Sequence, residues 1–126
     1  MRTLIAFLTF QLVLLGSVAS AQFELTADAM REIEDTTKSL DSNVSLKDGK
    51  SALAEAREVA AFFRQVEGYY AQKGGADDAV GYARKTHELA TQALVAIEAQ
   101  NFEQAVETVG DLARSCKRCH DVYKNK

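Results

Sequence analysis

Cys116-Lys117-Arg118-Cys119-His120 is the stretch of this 126-residue chain whose residue types and spacing set several reactive groups side by side. A C-x-x-C-H sequence is the attachment signature of c-type haem. The two thiols add across the porphyrin vinyl groups as thioethers, and the adjacent imidazole ligates iron on the proximal side. On a helix, positions 116, 119 and 120 share a face, so one macrocycle lies within reach of all three. Competing chemistries each lack something. A zinc centre takes four ligands, and the remaining candidate is the isolated His87. A thioredoxin-like dithiol belongs in a βαβ setting, and the sequence shows no strand pattern. A disulfide across so short a loop constrains little of the unfolded chain. Zinc, dithiol and inert disulfide stay open beside haem.

The elements that must carry these residues are helices. Proline is absent and Ala, Glu, Lys, Leu and Gln dominate, so only glycines and polar clusters interrupt a 3.6-residue period. A first helix is expected over about 26–43, with Ala27, Met30, Ile33, Thr37, Leu40 and Val44 on one stripe. A second runs over about 50–72, with Ala52, Ala56, Val59, Phe63, Val66 and Tyr70 inward, and stops at Lys73-Gly74-Gly75. A third runs from Asp77 and Asp78 to about 99, with Val80, Ala83, His87, Ala90, Leu94 and Ile97 inward. The fourth, over about 101–123, aligns Phe102, Ala105, Val109, Leu112, Cys116, Cys119 and Tyr123, with Val106, Ala113 and His120 beside them. The cysteine motif therefore falls on the inward face of the last helix. Short links between amphipathic helices predict an all-α, antiparallel four-helix bundle. Many of its inward positions are alanine, and a large apolar cofactor between the helices would supply the missing bulk.

The chain opens Met1-Arg2-Thr3, continues through apolar residues broken by Gln11, and reaches Val18-Ala19-Ser20-Ala21-Gln22. This pattern reads as a secretory signal peptide, residues 1–21, cut after Ala21. A membrane anchor needs roughly 20 apolar residues, and this stretch is shorter. Residues 22–126 then form a single haem-binding domain with no membrane span, expected in the periplasm, since bacterial haem attachment takes place outside the cytoplasm. The chain's net charge of −3 becomes one unit more negative when Arg2 leaves, and there is no basic block, which argues against nucleic acid as a partner. No Ser-His-Asp set, carboxylate cluster or phosphate-cradling glycine loop is present, so no catalysis is expected.

Cys116 through Lys124 resembles the C-terminal signature of the class II c-type cytochromes, the cytochrome c′ family: C-x-x-C-H, two residues, an aromatic and a basic residue, placed in the last helix. The resemblance covers the exported chain in architecture and this segment alone in residue identity. It implies a left-handed four-helix bundle with one covalent haem c near one end, a periplasmic location and, often, a homodimer. In that family the sixth iron position decides function. An apolar residue there leaves iron five-coordinate and able to bind nitric oxide or carbon monoxide, whereas a methionine on the first helix makes an electron carrier. Met30 is the one methionine besides Met1 and lies on the inward stripe, which makes it the implied sixth ligand. Its thioether raises the potential and suppresses ligand binding; otherwise it fills a core gap. His87 is a weaker candidate, expected to be half-exposed or bonded to backbone.

Arg31 suits a haem propionate or the solvated surface. Lys117, Arg118, Lys124 and Lys126 suit an acidic redox partner protein or the negative end of a helix. Phe62, Phe63, Tyr69 and Tyr70 form an aromatic patch for core packing, a bundle end or a subunit contact. The expected function is periplasmic electron transfer by one haem on Cys116, Cys119, His120 and Met30. A five-coordinate gas-binding protein is the alternative, and a haem-free helical interaction module is a third reading.

Overall fold

Side-chain caps set the start of three of the helices. Thr26, Asp48 and Asn101 each accept a hydrogen bond from the backbone N–H three residues on, at Ala29, Ser51 and Gln104. The third helix has no such cap; Asp77 and Asp78 in its first turn set negative charge at the positive end of the helix dipole instead. The computed structural model describes residues 22–124, and these residues form α1 (Ala27–Ser45), α2 (Gly49–Lys73), α3 (Asp77–Glu98) and α4 (Phe102–Tyr123). The signal peptide read in residues 1–21 and the basic residue Lys126 lie outside the described residues.

The expected boundaries hold within two residues throughout, the largest difference being the end of α1, at Ser45 rather than Asn43. That helix runs on through the polar cluster Asp41-Ser42-Asn43. The Ser42 hydroxyl donates back to the Lys38 carbonyl at 3.1 Å, and the Asn43 amide donates to both Glu55 carboxylate oxygens at 3.0 and 2.9 Å. The Ser42 bond to the carbonyl one turn back is one a serine makes inside a helix, and the Asn43 amide, held by Glu55, does not compete for the backbone, so the helix continues. The chain turns instead at Lys47, with φ of 60°, and the α3–α4 link turns at Gln100, with φ of 56°.

Each helix packs on its neighbour in sequence, and α1 closes the ring against α4 along the loosest of the four seams. The result is the antiparallel all-α four-helix bundle expected from the short links. Leu40, Val44, Val59, Ile97, Val109 and Leu112 are the large side chains at its centre, fully or almost fully buried. In α3 Ala83, Ala90 and Ile97 are buried as expected, and the buried face extends to one side of the expected stripe. Ala79, Thr86 and Ala93 are buried, whereas Val80, His87 and Leu94 sit half-buried at the edge. The cause is position: α3 lies in both of the two closest seams, against α2 and α4, and small residues let two backbones approach it. On α4, Val106 and Ala113, expected beside the inward stripe, are exposed. No helix among the described residues is long and apolar enough to cross a membrane.

Leu112 has no solvent exposure and lies one turn before Cys116. Leu112→Ala is expected to cost about 2–5 kcal/mol through lost transfer energy and the cavity left behind. Urea unfolding with an unchanged m-value checks it.

Candidate functional site

Antiparallel packing gathers the first half of α1, the second half of α2, the first half of α3 and the second half of α4 at one end of the bundle. Between them lies a cavity of about 940 Å³. That is near the top of the roughly 300–1,000 Å³ typical of clefts that bury small-molecule ligands. Cys116, Cys119 and His120 line it from α4 and Met30 from α1, with Ile33, Phe63, Val66 and Ala83 among its apolar walls. The motif and the methionine, 86 residues apart between Met30 and Cys116 in the numbering, thus face one space.

Met30 is placed by local structure. With Thr26 as N-cap, Leu25 is the residue before the cap and Met30 the fourth helical residue, the spacing of a hydrophobic staple. Both are partly buried against the core and line the cavity. His87 is not part of this site. Its Nδ1 donates to the Ala60 carbonyl at 2.7 Å, which ties the ring to α2 backbone, and it does not line the cavity.

The charged candidates divide. Arg31 reaches the cavity and pairs with Asp28 in the same turn. Lys117 and Lys124 line it too, Lys117 pairing with Asp121 at 2.9 Å, while exposed Arg118 does not line it. The aromatic patch also divides. Phe63 and Tyr70 wall the cavity, whereas Phe62 packs edge-on between Phe23 and Phe63, with ring centroids at 5.7 and 5.4 Å. Tyr69 packs edge-on against Tyr70 at 5.3 Å and carries the Lys73 ammonium over its face at 5.9 Å. The patch is thus satisfied by packing within the chain.

Both thiols are free. Burial, with smaller contributions from Cys119 and Glu34, pushes the Cys116 thiol up to about 11. Burial and then the Asp78 charge raise Cys119 as well. A redox dithiol works in surroundings that lower the thiol pKa, and these surroundings do the reverse. Among the described residues no three His, Cys, Asp or Glu side chains are grouped to hold a bare metal ion. The donor set does fit an iron porphyrin: two thiols one helical turn apart, an imidazole next to the second, a thioether on a different helix, apolar walls, and cations at the rim for carboxylates. The His120 ring makes no hydrogen bond among the described residues, so neither nitrogen is committed elsewhere.

Two buried hydroxyls in this region have no counterpart among the expected site residues. Thr86 lines the cavity and donates to the Tyr82 carbonyl at 2.8 Å. Its one proton thus engaged, it accepts from the Ser115 hydroxyl, also at 2.8 Å. The pair joins α3 to α4 immediately beside Cys116, and being fully hydrogen-bonded it escapes the cost of a buried unpaired hydroxyl. A signal existed in the sequence, since Ser115 directly precedes Cys116, but nothing local points from it to Thr86. No protein-family model matches the chain, and comparison with curated proteins and with solved structures likewise finds no similar protein.

Proposed function

We propose that this chain is a periplasmic electron-transfer protein carrying one covalent haem c, with Cys116 and Cys119 as thioether anchors, His120 as proximal ligand and Met30 as the opposite axial ligand. One observation carries the reading: all the C-x-x-C-H donors on α4 and the methionine on α1 line the same cavity of about 940 Å³. The bound group supplies a one-electron iron couple; the chain supplies everything that makes the couple usable.

Cys116 and Cys119 prevent loss of the group. His120 on α4 and Met30 on α1 would hold the iron from two different helices that line the same cavity. Ile33, Phe63, Val66 and Ala83 exclude water, which together with thioether ligation favours the reduced state and a high potential. Lys117, Lys124 and Arg31 at the rim offer positive charge to carboxylates of the group and to acidic partner proteins. The leader pattern in residues 1–21 supports export.

The test is expression of the full sequence in a bacterium with active haem-attachment machinery. The expected product carries the mass of one haem and both thiols consumed, a low-spin ferrous α-band, and a weak ferric band near ~700 nm from Met ligation. A high-spin spectrum that shifts with carbon monoxide would make the chain a five-coordinate gas-binding protein. Unmodified thiols would leave a haem-free helical interaction module.

A further inference from the structure

The last turns of α4 carry the second anchor and the proposed proximal ligand, and helix ends fray. What holds this end is a cross-helix contact. The Tyr123 hydroxyl donates to the Asp78 carboxylate in the first turn of α3. The Tyr123 ring packs against Tyr70 of α2, with centroids 5.6 Å apart, and both tyrosines line the cavity. Asp78 in turn accepts from its neighbour, the Ala79 backbone N–H, at 3.0 Å, which fixes the carboxylate at the helix N-terminus. Its charge reaches Cys119.

Resting on the haem reading above, we propose that Tyr123 and Asp78 form a latch holding Cys119 and His120 against α3, and that the Asp78 charge, moderated by the Tyr123 hydroxyl, tunes the reduction potential. Tyr123 is a positioning residue: it acts through Asp78. Asp78 does not itself line the cavity but is tied to it through Tyr123, and a carboxylate beside the cavity would stabilise the ferric state, which bears one more positive charge than the ferrous. A hydroxyl donating to that carboxylate draws its charge away and offsets part of the effect.

The signs separate this role from a purely structural one. In the haem-loaded protein, Asp78→Asn removes the charge and is expected to raise the potential, shifting the ferric-to-ferrous ratio at fixed poise several-fold toward ferrous. Tyr123→Phe leaves the carboxylate without this donor and is expected to lower the potential. The double variant follows Asp78→Asn, because the hydroxyl has no charge left to moderate. All three lower the thermal midpoint. Spectroelectrochemical titration of the four proteins reads the result. Shifts of the two single variants in the same direction, or no shift beside a lowered midpoint, would overturn the tuning role and leave the haem reading standing. Unmodified thiols in the parent protein, seen by mass before any titration, would overturn the haem reading and this inference with it.

Discussion

On the proposed haem reading, replacing both Cys116 and Cys119 by alanine is expected to abolish covalent haem. The exported chain then has the mass of the polypeptide alone, and acidified acetone removes any residual porphyrin. The expected effect is complete, because the chain has no other thiol to form a thioether. It is also separable from unfolding. Both side chains are half-buried at the cavity wall, outside the fully buried centre formed by Leu40, Val59, Val109 and Leu112. The four helices should therefore persist by circular dichroism, and the loss reads as chemistry. Single replacements sharpen the point: each should leave one thioether and a mass that includes haem, whereas His120→Ala keeps both thioethers and loses the imidazole from the iron. Haem that stays covalently bound after both cysteines are gone would sink the assignment.

On the same reading, Met30→Leu is expected to convert the iron from six-coordinate low-spin to high-spin and to open it to carbon monoxide. Leucine keeps the apolar volume and a substitution of this kind usually costs under about 1.5 kcal/mol, so the staple with Leu25 and the α1 start are retained. Met30→Ala should give the same spectrum at a greater cost in stability, toward the low end of the roughly 2–5 kcal/mol range for buried methionine because Met30 is only half-buried. Both variants should lose the weak ferric band near ~700 nm and fall in potential, since thioether ligation favours ferrous iron. His87→Ala serves as the control and should leave the spectrum unchanged, its ring being bonded to the Ala60 carbonyl away from the cavity. An unaltered low-spin spectrum in Met30→Leu would remove Met30 from the ligand set and leave another side chain as the sixth ligand.

Sequence and tertiary structure decided different things here, and the division is physical. Helix periodicity, caps and breakers act within a few residues, so the number of helices, most of their ends and the inward direction of Cys116, Cys119 and His120 are legible in the chain. Thr26, Asp48 and Asn101 cap where the residue types say they should. Where a long-range partner intervenes, local reading fails. Glu55 on α2 holds the Asn43 amide, and α1 ends two residues past the expected Asn43. The buried face of α3 extends beyond the expected stripe because a helix packed closely on both sides buries a wider face than its large apolar residues mark.

The site shows the same division more sharply. Cys116, Cys119 and His120 are neighbours in sequence, so their shared face follows from the helix alone. That Met30 lines the same cavity, that His87 does not, that Ser115 meets Thr86 and that Tyr123 meets Asp78 depend on how far each helix is rotated and shifted along its neighbours. Those offsets come from the packing of Leu40, Val59, Ile97 and Leu112 around a common centre. No local pattern encodes them, because each is a balance of contacts among several helices at once.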